Sequence, residues 1–535
     1  MQGEHRQLMQ FVHIDMGRIV TTILNRFDGG MSNDIRNSYE SSGKDFLVAR
    51  NKARIIQNFD ILTASSKMTP HFDDQADSTG NTEKLCMYLT YGATAKQYAL
   101  GVVSATSRAK IFERASLPQG AWGASTGGQG SDGAARSEKV FVAYNDGTDN
   151  LIFGLSGGAQ MWQYNITTQA FTNALISFTY TNTAQGLVHS KDDVCYIPVD
   201  NVILSKNGSA VFTPYATPAL TLPRNSIITA IWESGNYLAI ATKPKGLGGK
   251  SIIYYWDRDS SLATTSEKVD GGSNAIRWGE NLGGYEIVCS VAGYTAEAIT
   301  KIPKVIFSYK LGEGLKTIAE FNTTNTTVLF GNNIQKTNGR IYFLMQAEIN
   351  SVVYMGLWSI GQNASGQFSY CMEHQLNNGA TTFTASDLPL GFELLGDYLS
   401  VAYSVAGVYV ARMTNATVFS NFSDFQSLIF NEGDSDVTKE LIGATVTFEP
   451  LSTSGITGTP TVVLKYRKEG ETSFTQIFSY ATLATITHGA INIESSGVGL
   501  PEYREIEFQI QSKGNAVITG LKWRSEIVEG KGQLY

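Results

Sequence analysis

The sequence predicts an all-β protein, a β-propeller of about seven blades followed by a C-terminal β-sandwich. Three observations carry that expectation. Helical periodicity is nearly absent after residue 80, where short apolar or alternating runs are broken by Gly, Asn, Asp and Ser, the pattern of antiparallel strands and tight turns. A motif of polar turn, apolar strand, short loop and aromatic-rich strand recurs at a spacing of ~50 residues, which matches one four-stranded blade plus insertions. From about Val437 the strands lengthen and alternate strictly, as in a sandwich with one face on a core.

The opening residues are the one place where a helix is suggested, with Val12, Met16, Ile19, Val20 and Ile23 on one face. Residues 1–62 read as an N-terminal arm. Within it, Asp45–Leu62 holds strand-like runs that either complete the last blade or form a separate hairpin; sequence position favours neither.

Residues 63–430 read as the propeller. Its clearest repeats are Gly235–Lys243 with Ser251–Asp259, Asn338–Gln346 with Val352–Ile360, and Gly396–Ser404 with Gly407–Met413. Cys86, Val140, Val194, Leu238, Ile287, Tyr342 and Leu399 are taken as equivalent, giving seven blades with six or eight as alternatives. One four-stranded sheet cannot cover both its faces, so each blade is expected to bury its apolar side against the next.

The acidic turn Asn431–Asp436 reads as a linker, residues 437–528 as the sandwich and 529–535 as a tail. Sandwich strands are expected at Ala444–Pro450, Thr461–Lys468, Ser473–Tyr480, Arg504–Ser512 and Ala516–Ser525. Two polar insertions, Thr69–Glu83 and the Gly-rich Gln119–Glu138, read as surface or contact loops.

Composition narrows the function. With 41 Lys+Arg against 48 Asp+Glu, net charge −7 and no long basic block, sequence-specific nucleic-acid binding is not expected. No apolar run approaches the ~20 residues of a membrane span, and the polar start lacks the apolar core of a signal peptide. The four cysteines, Cys86, Cys195, Cys289 and Cys371, lie far apart in apolar runs and read as buried thiols.

No catalytic, cofactor or metal site is expected. Pro244–Ser251 ends like a phosphate loop, but Pro244 stands where the first Gly belongs and a strand follows instead of a helix. The six histidines show no metal-binding spacing. The acid pairs Asp73/Asp74, Asp192/Asp193, Asp257/Asp259 and Asp434/Asp436 read as solvated turns, since Asp favours Asx turns. The repeated boxes of sialidase-like propellers are missing; Ser205–Phe212 has Asn207 where Asp belongs. The chain is therefore expected not to be an enzyme. Trp162, Trp256, Trp278 and Trp358 read as blade core, with sugar stacking as the alternative.

The most specific string is Asn25–Ser38, NRFDGGMSNDIRNS. Phe27 is an anchor, and Gly29 and Gly30 permit positive φ, so the string reads as a structured entry turn. It resembles the F-x-G-G-[LM]-x-x-D opening near the N-termini of tailed-bacteriophage virion proteins with propeller bodies, and the C-terminal sandwich is similar to the ending of the same kind of protein. The resemblance implies a tail, neck or nozzle element built as a symmetric ring in the virion, assembled in the host cytoplasm, with copies of itself and other tail proteins as partners. Phe27, Asp28, Gly29, Gly30, Met31 and Asp34 are then candidate assembly contacts. A carbohydrate-binding receptor protein, touching host surface glycan, is the alternative, and a glycan-cleaving propeller a third reading.

Overall fold

The computed structural model describes residues 19–27, 29, 31, 52–62, 68–70, 72–76, 84–91, 96–103, 108–115, 122–123, 140–156, 160–245, 251–268, 275–292, 304–310, 314–322, 329–349, 352–363, 366–376, 383–384, 387–396, 398–419, 423–432, 437–449, 460–480, 489–494, 500–514 and 516–528. They are strands and connecting turns, with no helix among the described residues. The chain forms two compact units, one of Asp74–Ser359 and Gly379–Asn415, the other of Met1–Asp73, Ile360–Asn378 and Ala416–Tyr535.

The first unit is the propeller. Its blades begin with strands Lys84–Tyr91, Val142–Asn145, Leu187–His189, Ser226–Ser234, Ala275–Leu282, Leu329–Thr337 and Leu388–Leu395, each leading into an antiparallel sheet. Each of these strands packs on the next blade in turn, and Leu388–Leu395 packs on Lys84–Tyr91, so the ring closes at seven blades.

Period-two alternation sends one set of side chains to each neighbour. In the fourth blade, Leu238 and Ile240 join Tyr196 and Ile203 of the third. Ala239, Ala241, Ile253 and Tyr255 face the other way, onto Ile276 and Val288 of the fifth. The third blade likewise sends Cys195 and Ile197 onto Tyr144 and Phe153 of the second. Burial of each large aliphatic side chain among these contributes about 1.5–3 kcal/mol. This is the stacking that the repeats predict.

Two glycines set the spacing of tryptophans within this core. A Cβ at Gly154 would lie inside the Trp162 indole of the neighbouring strand, and one at Gly279 would come within 2.7 Å of the Trp232 ring. Both positions therefore need a residue without a side chain.

The residues taken as equivalent in the sequence differ by one strand. Cys86 lies on the first strand of its blade and Val140 just before the first strand of the next, whereas Val194, Leu238, Ile287, Tyr342 and Leu399 lie on second strands. Apolar runs on both strands of a hairpin look alike in sequence, so the repeat is right in number and offset in phase for the first two blades.

The strand that completes the last blade is also not the expected one. Phe72–Ala76 hydrogen-bonds beside Val408–Phe419, giving the order Leu388–Leu395, Tyr398–Val405, Val408–Phe419, Phe72–Ala76. It comes from the polar insertion, not from Asp45–Leu62. Ala53–Gln57 instead pairs antiparallel with Ser423–Ser427 and parallel with Phe368–Gln375 in the second unit, and Phe59–Asp60 pairs antiparallel with Thr69–Pro70, so among the described residues this segment does not complete the last blade.

The second unit is a sandwich built from both ends of the sequence. One sheet runs in the order Ile19–Leu24, Ile518–Ile527, Lys439–Phe448, Gly489–Glu494, with Glu502–Tyr503 also beside Lys439–Phe448. The other contains Ala53–Gln57, Ser423–Ser427, Ile506–Lys513, Thr461–Lys468 and Thr475–Tyr480 in that order. Trp523 of the first sheet packs on Phe508 of the second with ring centroids 4.7 Å apart, and on Phe430 at 4.9 Å. The sandwich is thus larger than 437–528. Ile19–Leu24, expected as part of a helix, is a strand because Ile518–Ile527 offers it an edge, a tertiary effect that outweighs local periodicity.

Candidate functional site

Two residues of the N-terminal string, Phe27 and Met31, face inward. Phe27 is fully buried, its ring edge-on to Phe425 at 5.4 Å, and Met31 is buried with its amide donating to the Tyr370 carbonyl at 2.9 Å. Gly29 occupies the turn between them. The side chains of Phe27 and Met31 are core of the sandwich unit, which corrects the expectation that they form assembly contacts. Asp28, Gly30 and Asp34 lie outside the described residues.

A half-buried glutamate fixes the strand leading into this string. Glu432 accepts from Trp523 Nε1 at 2.6 Å, Tyr503 Oη at 3.0 Å, Thr22 Oγ1 at 3.2 Å and Ser525 Oγ at 3.3 Å. Burial raises its pKa above the usual carboxylate value, against the lowering effect of these donors. Glu432 sits in the segment read as an acidic linker; its four donors come from strands distant in sequence, so the sequence showed only the charge. Asp434 and Asp436 lie outside the described residues.

What this arrangement leaves open is an edge. Ile19–Leu24 pairs with Ile518–Ile527 on one side, and among the described residues no strand lies on its other side. Ile19 is 37% exposed and Ile23 43%. An unguarded apolar edge is what monomeric proteins avoid, with charges, Pro or bulges; IVTTIL has none of these.

Two polar clusters among the described residues of the propeller lie at the joints that its fourth blade makes with the third and the fifth. At the joint of the third and fourth blades, Arg258 Nη1 donates to His189 Nδ1 at 2.6 Å and lies 3.1 Å from Asp192 Oδ2, which also accepts from Tyr196 Oη at 3.1 Å. His189 is fully buried, and its Nε2 faces the Tyr237 carbonyl at 3.4 Å, which fits the Nε2–H tautomer. Ser190 donates to Glu233 from its amide at 2.6 Å and its hydroxyl at 2.7 Å. Arg258 holds φ +75°, an uncommon backbone for a long side chain, set by the turn in which Asp257 accepts from the amides of Asp259 and Ser260.

In the second cluster, Glu286 accepts from Ser234 Oγ and from Tyr255 Oη, the latter at 2.6 Å, and Lys310 bridges Tyr255 to Glu267. Burial, then Glu286, raises the Tyr255 pKa; burial, then Asp192, does the same for Tyr196. Hydroxyls held protonated in this way donate and do not abstract protons at neutral pH. Both clusters clamp blades together, while Asp192 and Arg258 keep part of their side chains in solvent, at 29% and 13%.

The structure thus joins Asp192 of one acid pair to Arg258 beside another, Asp257/Asp259. The side chains of Asp73 and Asp74 are outside the description, as is 246–250 of the phosphate-loop-like string. Trp162, Trp256, Trp278 and Trp358 are buried, at most 6% exposed, so they are blade core and not sugar platforms. Cys195, Cys289 and Cys371 are buried and in no disulfide. No group of metal-ligating side chains occurs among the described residues, and no helix there is long and apolar enough to cross a membrane.

No family model matches the chain, and no curated protein matches it. Among solved structures it is similar to an exo-β-1,3-galactanase from Phanerochaete chrysosporium, at 9% identity over 85% of this chain and 99% of that one, TM-score 0.31. It is also similar to the Dos1 propeller, at 11% identity over 65% and 88%, TM-score 0.38, and to a polysaccharide lyase, an ulvan lyase, at 10% identity over 64% and 95%, TM-score 0.44. These likenesses concern the fold alone. They correct the expectation of a chain without catalytic activity: glycan-cleaving enzymes stand among the structures similar to it, so its layout is no ground for that expectation.

Proposed function

We propose that the chain is a structural subunit of a tailed-bacteriophage particle, a tail, neck or nozzle element present as a symmetric ring. The observation that carries this reading is the sandwich edge Ile19–Leu24, apolar and without an outer partner among the described residues, its Thr22 held by Glu432 and the chain after it anchored by the buried Phe27 and Met31. A strand so presented suits a neighbour, and symmetry multiplies modest contacts into a stable assembly. The resemblance of Asn25–Ser38 to the openings of such virion proteins points the same way. Quantitative mass spectrometry of purified particles tests it: a fixed copy number per particle supports the reading, and absence of the chain from particles overturns it.

A glycan-directed role is the second reading, favoured by the Asp192–Arg258 pair, which keeps part of its surface in solvent beside Asp257 and Asp259. Charged planar groups of this kind hydrogen-bond sugar hydroxyls. Binding or turnover of host-surface polysaccharide by the purified chain, lost in Arg258→Ala, would support it; neither binding nor turnover across a panel of host glycans would remove it.

A further inference from the structure

The sheet that carries Ile19–Leu24 has two ends, and they match. Its order is Ile19–Leu24, Ile518–Ile527, Lys439–Phe448, Gly489–Glu494, and among the described residues neither end strand has a partner on its outer side. We propose that copies of this chain join end to end through this sheet, Ile19–Leu24 of one copy pairing with Gly489–Glu494 of the next. The proposal rests on the ring-subunit reading and names the contact that would build the ring.

The directions of the strands support it first. Every adjacent pair in the series is antiparallel, so with four strands the two end strands run in opposite senses. A second copy, brought alongside by rotation about a ring axis, therefore presents its Gly489–Glu494 antiparallel to Ile19–Leu24. An odd number of strands would have offered a parallel match, the slightly weaker ladder.

Length and regularity agree. Both end strands have six residues, and both run without a bulge along their inner neighbours. Centred on each other, they place Thr21 opposite Asn492 and Thr22 opposite Ile491. Thr22 is paired with the buried Trp523 and Ile491 with the buried Val446, whose own partner Leu521 stands two residues from Trp523, so this register keeps the faces of the sheet continuous.

The contact is heterologous, one end strand meeting the other, and such a contact closes into a ring when the rotation per copy divides a full turn. Strand addition supplies main-chain hydrogen bonds, and the exposed Ile19 and Ile23 supply apolar area beside them. A second copy is the favoured occupant because it brings a strand of equal length and the required sense.

Two variants of the full chain test this. Thr21→Cys with Asn492→Cys, treated with a short thiol cross-linker, is expected to give a ladder of covalent multimers that neither single variant gives. Ile19→Lys with Ile23→Lys is expected to convert the multimer seen by analytical ultracentrifugation into monomer, with unchanged circular dichroism and thermal midpoint. A multimer that survives the lysine pair and yields no ladder overturns the proposal and leaves the ring reading standing. A wild-type chain that stays monomeric at all concentrations and is absent from particles sinks both.

Discussion

Gln97 and Glu393 meet across the closing seam of the propeller, Gln97 Nε2 donating to Glu393 Oε2 at 2.7 Å between the first blade and the last. Both are buried, and the contact belongs to a network. Arg114 Nε donates to Gln97 Oε1 at 2.7 Å, and Arg114 Nη2 to Ser400 Oγ at 2.8 Å. The guanidinium also stacks 4.1 Å over the Trp122 ring. The blade before the seam is joined by a different device: Asn333 and Gln335 extend their side-chain amides to the backbones of Phe392 and Leu394, each donating and accepting once. Side chains here complete hydrogen bonds that strands would make within a sheet.

Gln97→Ala is expected to leave the Glu393 carboxylate and Arg114 short of a partner in a buried place. The loss is expected at about 2–4 kcal/mol, because orphaned buried groups cost their full desolvation. Chemical denaturation measures it. Arg114→Ala in the Gln97→Ala background should add less than it does alone, since the two act in one network.

Gly154→Ala is expected to destabilise by about 1–3 kcal/mol through a clash with the Trp162 indole, the usual range for overpacking. Gly154→Ala combined with Trp162→Phe should recover part of the thermal midpoint, which a loss caused only by backbone propensity would not.

Phe27→Ala is expected to cost about 3–5 kcal/mol by emptying a buried aromatic site against Phe425. Limited proteolysis should then cut the N-terminal strand faster than in the wild type. Unchanged stability with lost assembly would instead assign Phe27 to a contact surface.

Asp424 makes the stability of the chain depend on pH. It is buried on the second sandwich sheet, where Gln426 and Gln509 donate to its Oδ2 while Oδ1 has no partner, and burial pushes its pKa up to about 6 from the ordinary 3.8. The folded form holds the proton more tightly than the unfolded one, so the associated stability is complete below about pH 4 and is lost as pH rises through about 6. The shift corresponds to about 3 kcal/mol. Asp424→Asn should remove this loss: its stability relative to the wild type rises between pH 4 and 6.5 and levels off above. Parallel curves for the two proteins across that range would contradict the assignment.

Legibility in the sequence followed the range of the interactions. Leu238 with Ala239, or Cys195 with Tyr196, alternate locally, and that alternation was enough to read strands, repeats and blade number. Phe72–Ala76 was missed because FDDQA is polar, and its place is decided by the unpaired edge of Val408–Phe419. Ile19–Leu24 was misread as helical because its apolar spacing serves either period over six residues, and only the distant Ile518–Ile527 decides. Glu432 was read as a linker charge because its donors at 22, 503, 523 and 525 are visible only once folded. Phe27 and Met31 were recognised as special, but whether they face inward or toward a neighbour is a property of the sandwich and not of the string.

Electron cryomicroscopy of purified particles tests the central claim most directly. The account predicts a symmetric ring in which each subunit shows seven small radial sheets and a sandwich, with neighbouring sandwiches touching at the Ile19–Leu24 edge. Particles lacking such a ring, or a ring whose subunits leave that edge in solvent, would contradict it.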